Sequence, residues 1–328
     1  MAQRQVINEA KFVSIGGIEQ WITINGDDRT KPIILFIHGG PGSTMSQFNN
    51  AMYRAWEKYF VLVNWDQRGA GKTYGRHAPE EVTEDYWIEN PLTVKQMTAD
   101  GIEVIEYVLQ LLKKDKVVLI GTSWGSILGT EMALINPELF HAYLGHSQFV
   151  SFAENFKYSY TRTYELAKIE NNTENIEKLE SLGNPPYDNA RSYGQLLRVV
   201  KGYEAKSSKP APESWFKLAP AYDNEKEAKA RYDGDDYSFI NFVGHQKLQI
   251  KAMAAGIDFY KNGLKFEIPV YYIQGEKDIL TASAINKPYF DKITAPHKEY
   301  YLLPDAGHGH NGSVVEKQYE IVKNLKIN

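Results

Sequence analysis

The chain has 328 residues, 43% of them hydrophobic, with 37 basic against 41 acidic side chains, a formal net charge of −4 and no cysteine. The two signs are interspersed, leaving no basic stripe for a phosphate backbone and no polybasic patch for anionic lipid, so neither nucleic acid nor a membrane is an expected partner. The absence of cysteine excludes a disulfide framework, a thiolate nucleophile and Cys-ligated zinc; with no window near the roughly 18 apolar residues of a spanning helix, and no apolar core in the N-terminal MAQRQVINEAKF, a cytoplasmic protein is expected.

Residues 12–24 alternate apolar and polar about Gly16-Gly17, which predicts a hairpin at one edge of a sheet. Ile33–Ile37 (IILFI) and residues 60–64 (FVLVN) read as buried strands, with a helical stretch over 46–59 between them. Residues 93–112 read as a long amphipathic helix, 116–120 (KVVLI) as a β-branched strand, and 126–135 (SILGTEMALI) as a helix with apolar residues at three and four spacing. After 140–145 the pattern changes. Residues 148–266 are Tyr-rich, charged and helical, without a convincing buried strand, and turn formers interrupt them at Gly183-Asn184-Pro185-Pro186 and over 207–212. Alternation resumes with a strand at 268–273, a helix near 282–290, a strand at 297–302 and a terminal helix from about Ser313.

This order predicts an α/β fold with a mostly parallel central sheet, helices on both faces and an inserted helical cap. The expected division is a catalytic domain of residues 1–147 and 267–328 and a cap domain of 148–266.

The chemistry centres on Gly121-Thr122-Ser123-Trp124-Gly125, where an apolar strand runs through G-x-S-x-G into a helix. That pattern puts a serine on a strained turn, with glycines where a Cβ would crowd the neighbouring strand. A serine hydroxyl is a poor nucleophile at neutral pH and needs a base, held in one tautomer by an acid. Downstream, Asp278 follows a strand in QGEKD and His308 follows the next in PDAGHGH, so Ser123, Asp278 and His308 are the expected catalytic residues. Glu276 and Asp305 are the alternative acids, and His310 competes with His308, which is favoured by its flanking Gly307 and Gly309. The oxyanion of a tetrahedral intermediate needs two backbone donors: Trp124, next to the nucleophile, and Gly40, in the loop His38-Gly39-Gly40-Pro41-Gly42 after IILFI.

HGGPG at 38–42, WDQRGAGKT at 65–73, GTSWGS at 121–126 and the closing Asp278 and His308 together resemble the prolyl aminopeptidase (proline iminopeptidase) branch of the α/β-hydrolases. The resemblance covers most of 30–150 and 266–310. It implies the α/β-hydrolase fold, the triad and oxyanion donors named above, a cap inserted after the sixth strand, and a role for Asp66 and Arg68 in bracing loops near the site. It also implies action on a small peptide or ester substrate; Gly39 and Trp215 are the expected pocket residues. No cofactor is expected, and the eight histidines show no H-E-x-x-H or comparable metal spacing.

The departure lies in the cap. The W-x-x-W-E pattern that places a glutamate against the substrate's amino group in prolyl aminopeptidases is absent between 150 and 266, where Trp215 is the single tryptophan and Glu204, Glu213 and Glu225 have no aligned role. The sequence thus points to a serine hydrolase of small amides or esters, in the form of a prolyl aminopeptidase. A carboxylesterase for small acyl esters is the alternative within the same chemistry, and a non-catalytic ligand-binding protein of the same fold is the alternative from another class.

Overall fold

The computed structural model describes residues 5–327; the first four residues of the N-terminal stretch read for a signal sequence lie outside it. Strands β1 (Ile7–Ile15) and β2 (Ile18–Gly26) form the edge hairpin, turning at Gly16 and Gly17 with φ of +55° and +79°. β3 (Ile33–Ile37) and β4 (Val61–Asp66) follow, then α1 (Gly71–His77), α2 (Glu84–Glu89), α3 (Val94–Leu112), β5 (Val117–Thr122), α4 (Trp124–Ile135) and β6 (Phe140–His146). Five helices come next: α5 (Phe152–Ile169), α6 (Thr173–Leu182), α7 (Ala190–Ser207), α8 (Glu225–Val243) and α9 (Phe259–Asn262). The chain closes with β7 (Val270–Gly275), α10 (Ser283–Lys292), β8 (Lys298–Leu303) and α11 (Gly312–Asn324).

The eight strands make one sheet in the order β1-β2-β4-β3-β5-β6-β7-β8, antiparallel at the hairpin edge and parallel from β4 onward. This is the expected α/β-hydrolase fold. The two-residue period of a strand explains why β3 is apolar throughout: Ile33, Leu35 and Ile37 enter the core shared with α3 and α4, while Ile34 and Phe36 enter the core shared with α11. Burying each such side chain contributes roughly 1.5–3 kcal/mol.

One expectation fails. Residues 46–59 form two short 3-10 turns, Ser46–Phe48 and Arg54–Lys58, because Asn49 and Asn50 adopt φ of 47° and 56° and break the run. Met52, Tyr53 and Trp56 still bury against the α11 side of the sheet, so the apolar spacing that suggested a helix is satisfied by turns.

The helical insertion between β6 and β7 lies on the C-terminal edge of the sheet. Ser238 Oγ of α8 donates to the Gly69 carbonyl at 2.7 Å, and an added methyl at Gly42 would fall 2.7 Å from Asp235 Cα. Lys209 N, just past α7, donates to the Asp305 carbonyl at 2.8 Å. None of the described helices is long and apolar enough to cross a membrane.

Candidate active site

Every loop with a chemical motif leaves the sheet at the C-terminal end of a parallel strand, the edge where open α/β sheets place their sites. Ser123 sits between β5 and α4 at φ 54°, ψ −121°, a strained conformation for a residue with a side chain. The turn closes only because its flanks lack Cβ atoms. A methyl at Gly125 would fall 2.2 Å from the Ile37 carbonyl oxygen, and one at Gly121 would fall 2.6 Å from the Gly125 carbonyl oxygen. Ser123 N donates to the His146 carbonyl at 3.0 Å, tying the turn to β6.

The structure brings Ser123, Asp278 and His308 together. His308 Nε2 lies 2.8 Å from Ser123 Oγ, and His308 Nδ1 lies 3.1 and 3.2 Å from the Asp278 carboxylate oxygens. A carboxylate only accepts, so Nδ1 carries the proton and Nε2 faces the serine hydroxyl as an acceptor. Asp278 is 4% exposed and is fixed by Thr281 N at 2.8 Å, Thr281 Oγ1 at 2.6 Å and Gln274 Nε2 at 3.0 Å. Burial pushes its carboxyl up, but the His308 charge and these hydrogen bonds outweigh it and hold Asp278 well below the usual carboxylate range. Burial likewise pushes His308 down, and Asp278 outweighs it to leave the imidazole raised. The histidine loop is fastened where Ser147 Oγ donates to the His308 carbonyl at 2.8 Å.

The oxyanion side is built around a residue the sequence did not single out. Gln67, fully buried between Asp66 and Arg68, donates through Nε2 to the His38 carbonyl at 2.9 Å, and its Oε1 accepts from Trp124 Nε1 at 2.9 Å. Its own amide donates to His38 Nε2 at 3.2 Å, which requires a neutral imidazole, and burial lowers the His38 pKa to about 4. One side chain thus spans the HGGPG loop and the serine turn. Gly39 approaches so closely that its Cβ would stand 3.3 Å from Ser123 Cβ. Among the described residues, the Gly40 and Trp124 amides donate to no protein acceptor, as donors reserved for a ligand would be.

The alternatives lie elsewhere. Glu276 is exposed and pairs with Lys277 at 2.8 Å, while Asp305 accepts from Ser313 Oγ at 2.7 Å and pairs with Lys209 at 3.2 Å. His310 stands behind the triad, its ring 4.6 Å from that of His146, and burial followed by the His308 charge lowers it to about 4. Trp215 is partly buried against the α11-side core. Asp66 does brace nearby loops, accepting from Ser46 Oγ at 2.6 Å and Lys72 N at 3.0 Å. Arg68 braces a different place: it pairs with Asp100 at 2.7 Å and donates to the Gly16 carbonyl at 2.7 Å, joining α3 to the edge hairpin. Many of the insertion's aromatics are core, Phe152, Phe156, Tyr160, Tyr203, Tyr222 and Tyr237 all being buried, whereas Tyr232 is exposed.

A cleft of about 550 Å³ opens beside the HGGPG loop, lined by Gly42, Ser43, Phe48, Phe216, Arg231 and Asp235 among others. A larger one of about 700 Å³ lies between α3, α4 and Met253, Gly256 and Ile257, and none of the three candidate catalytic residues lines it. None of the three lines the first cleft either, but its Gly42 and Ser43 continue the loop whose Gly39 approaches Ser123. An arrangement of hydroxyl, imidazole, carboxylate and two free amides can transfer an acyl group to serine and then to water.

Comparison with known proteins gives the same direction. Residues 32–310 match the family described as alpha/beta hydrolase fold. The chain is 25% identical over 309 residues to a Bacillus subtilis (strain 168) protein named probable aminopeptidase YbaC, covering 93% of this chain and 92% of that one. A proline iminopeptidase of Clostridioides difficile (strain 630) is 30% identical over 118 residues, 35% of each chain. Among solved structures, a proline iminopeptidase of Mycobacterium smegmatis superposes with a TM-score of 0.61 at 17% identity over 96% of both chains, a likeness of fold alone.

Proposed function

The chain belongs to the alpha/beta hydrolase fold family, and from that premise we propose that it is a cytoplasmic serine hydrolase of the aminopeptidase kind, releasing an N-terminal residue such as proline from small peptides. The observation that carries this reading is the continuous line from Ser123 Oγ through His308, 2.8 Å away, to Asp278.

Ser123 Oγ attacks the substrate carbonyl while His308 Nε2 takes its proton. Negative charge gathers on the carbonyl oxygen, where the Trp124 and Gly40 amides donate to it, the first at the start of α4 with the helix dipole behind it. His308 returns the proton to the leaving amine, the bond breaks, and an acyl-Ser123 ester remains. Water, deprotonated by the same imidazole, hydrolyses it. Asp278 holds the tautomer and stabilises the imidazolium throughout.

In this reading residues 1–147 and 267–328 act as the catalytic domain and 148–266 as a cap. Gly39 borders the acyl site. Asp235, whose Oδ1 lies 3.4 Å from Ser43 Oγ at the cleft, is the carboxylate we assign to a substrate ammonium group. Trp215, partly buried against the α11-side core and adjacent in sequence to the cleft residue Phe216, is kept as a pocket residue.

The test is to compare the protein with Ser123→Ala on a proline arylamide, the same amide with its proline nitrogen acylated, and aryl esters of increasing acyl length. Ser123-dependent cleavage of the free amide, lost on acylation, is expected. Cleavage of esters alone would make the protein a carboxylesterase, and no Ser123-dependent turnover of any of them would leave a ligand-binding protein.

A further inference from the structure

The backbone of the two residues after Asp278 is held by the insertion. From α5, Ser159 Oγ shares its proton between the Asn155 carbonyl at 2.8 Å and the Ile279 carbonyl at 3.2 Å, and Asn155 Nδ2 donates to the Leu280 carbonyl at 3.0 Å. From α7, Glu204 Oε1 accepts from the Ile279 amide at 2.5 Å and the Leu280 amide at 3.3 Å. All four polar groups of a dipeptide in the body are thus met by side chains from the insertion, and the three side chains are buried, Glu204 being 5% exposed.

The same end of α7 rests on the histidine loop. Lys209 N donates to the Asp305 carbonyl at 2.8 Å, and a methyl on Gly307 would fall 3.1 Å from Ser208 Oγ. Glu204 therefore stands at the junction of the loops that carry Asp278 and His308.

A glutamine there would accept the same two amides without placing a second anion near Asp278. Burying a carboxylate beside another is costly, so its charge needs a use, and the nearby cation able to use it is protonated His308. We propose that Glu204 is a positioning residue: it fixes the loop that sets Asp278 under His308, and its charge favours the imidazolium that forms when Ser123 is deprotonated. This rests on the serine-hydrolase reading. Burial, then the charge of Asp278, pushes Glu204 up to about 7 against the pull of His308 and the two amides. The groups facing the pair are Asp278 from the body, Lys201 from α7, and His146 and His310 behind His308. The two groups act on each other: protonated His308 pulls Glu204 down, and the Glu204 carboxylate adds to the rise of His308.

The experiment measures the rate of Ser123 labelling by a fluorophosphonate against pH, with kcat and KM on an aryl acetate and on a proline arylamide, for the protein, Glu204→Gln and Glu204→Ala. Glu204→Gln keeps the acceptor and loses the charge. It is expected to lower labelling and kcat about threefold, less than the alanine variant, with an acid limb that moves to lower pH, because an anion no longer supports protonated His308. Glu204→Ala loses the acceptor too, and is expected to lower labelling and kcat about tenfold or more with KM little changed, equally for both substrates. If Glu204→Ala does not fold, the pH shift in Glu204→Gln decides alone. An unmoved acid limb in Glu204→Gln overturns the proposal, and so does a loss confined to the proline arylamide, which would make Glu204 a substrate-binding residue. Failure of the unaltered protein to label at Ser123 would instead overturn the reading beneath it.

Discussion

The two sides of Ser123 are fastened by different parts of the chain. On the oxyanion side, Gln67 ties the His38 carbonyl to the Trp124 indole, and every group in that network comes from the sheet and its first loops. On the acid–base side, the segment after Asp278 hangs from Asn155, Ser159 and Glu204, all in the insertion. The difference teaches that the proposed oxyanion donors are braced within the α/β body, whereas the acid and base, held directly by Thr281, Gln274 and Ser147 of the body, are braced from the insertion as well. A change in the insertion can then alter proton transfer as well as substrate choice.

The largest expected effect erases the comparison by removing its centre: Ser123→Ala should lower kcat by about ten-thousand-fold or more, since nucleophile and base act as a unit. Asp278→Asn attacks the acid–base side alone and should cost about ten-thousand-fold in kcat by releasing the His308 tautomer, with the fold intact by circular dichroism. Gln67→Leu attacks the other side. It leaves Trp124 Nε1 and the His38 carbonyl buried without partners, for roughly 1–3 kcal/mol each in denaturant unfolding, and should lower kcat about tenfold to a hundredfold through displaced donors. Its acid limb should stay where it was; a shift would mean that the two sides are not independent.

Arg68→Ala removes the charged partner of Asp100 at the hairpin edge, leaving a fully buried carboxylate with the Gln20 and Gln96 amides alone. Unfolding should become easier by about 3–5 kcal/mol while kcat holds, which separates bracing of the body from bracing of the site. The smallest effect is the position of the pH profile. His308 must be neutral to accept the Ser123 proton and its pKa is raised, so kcat/KM should climb with pH through a midpoint above the ordinary histidine value. A midpoint below that value would contradict the His308–Asp278 pairing.

What could be read from the sequence divides along the same line. The buried strands and the serine turn announce themselves through β-branched runs and glycine spacing, and Ser123, Asp278 and His308 follow from chain order. Local pattern fails where burial does not repeat: α2 buries no residue and so has no apolar stripe to detect, and α1 opens on Gly71 without a side-chain cap. Residues 46–59 show helical spacing that two left-handed asparagines interrupt. Gln67 carries no charge or nucleophile to draw notice, although its place inside DQRG was the available signal. Glu204 was visible only as an acid without a role, because its partners lie 75 and 76 residues away and the contact exists only once the insertion folds back.

The most direct measurement is mass mapping of the protein after reaction with a fluorophosphonate. One adduct on Ser123, absent from Ser123→Ala and suppressed in His308→Ala, is the result expected of a serine activated by His308. An adduct elsewhere, or labelling of Ser123 that ignores the loss of His308, would contradict it.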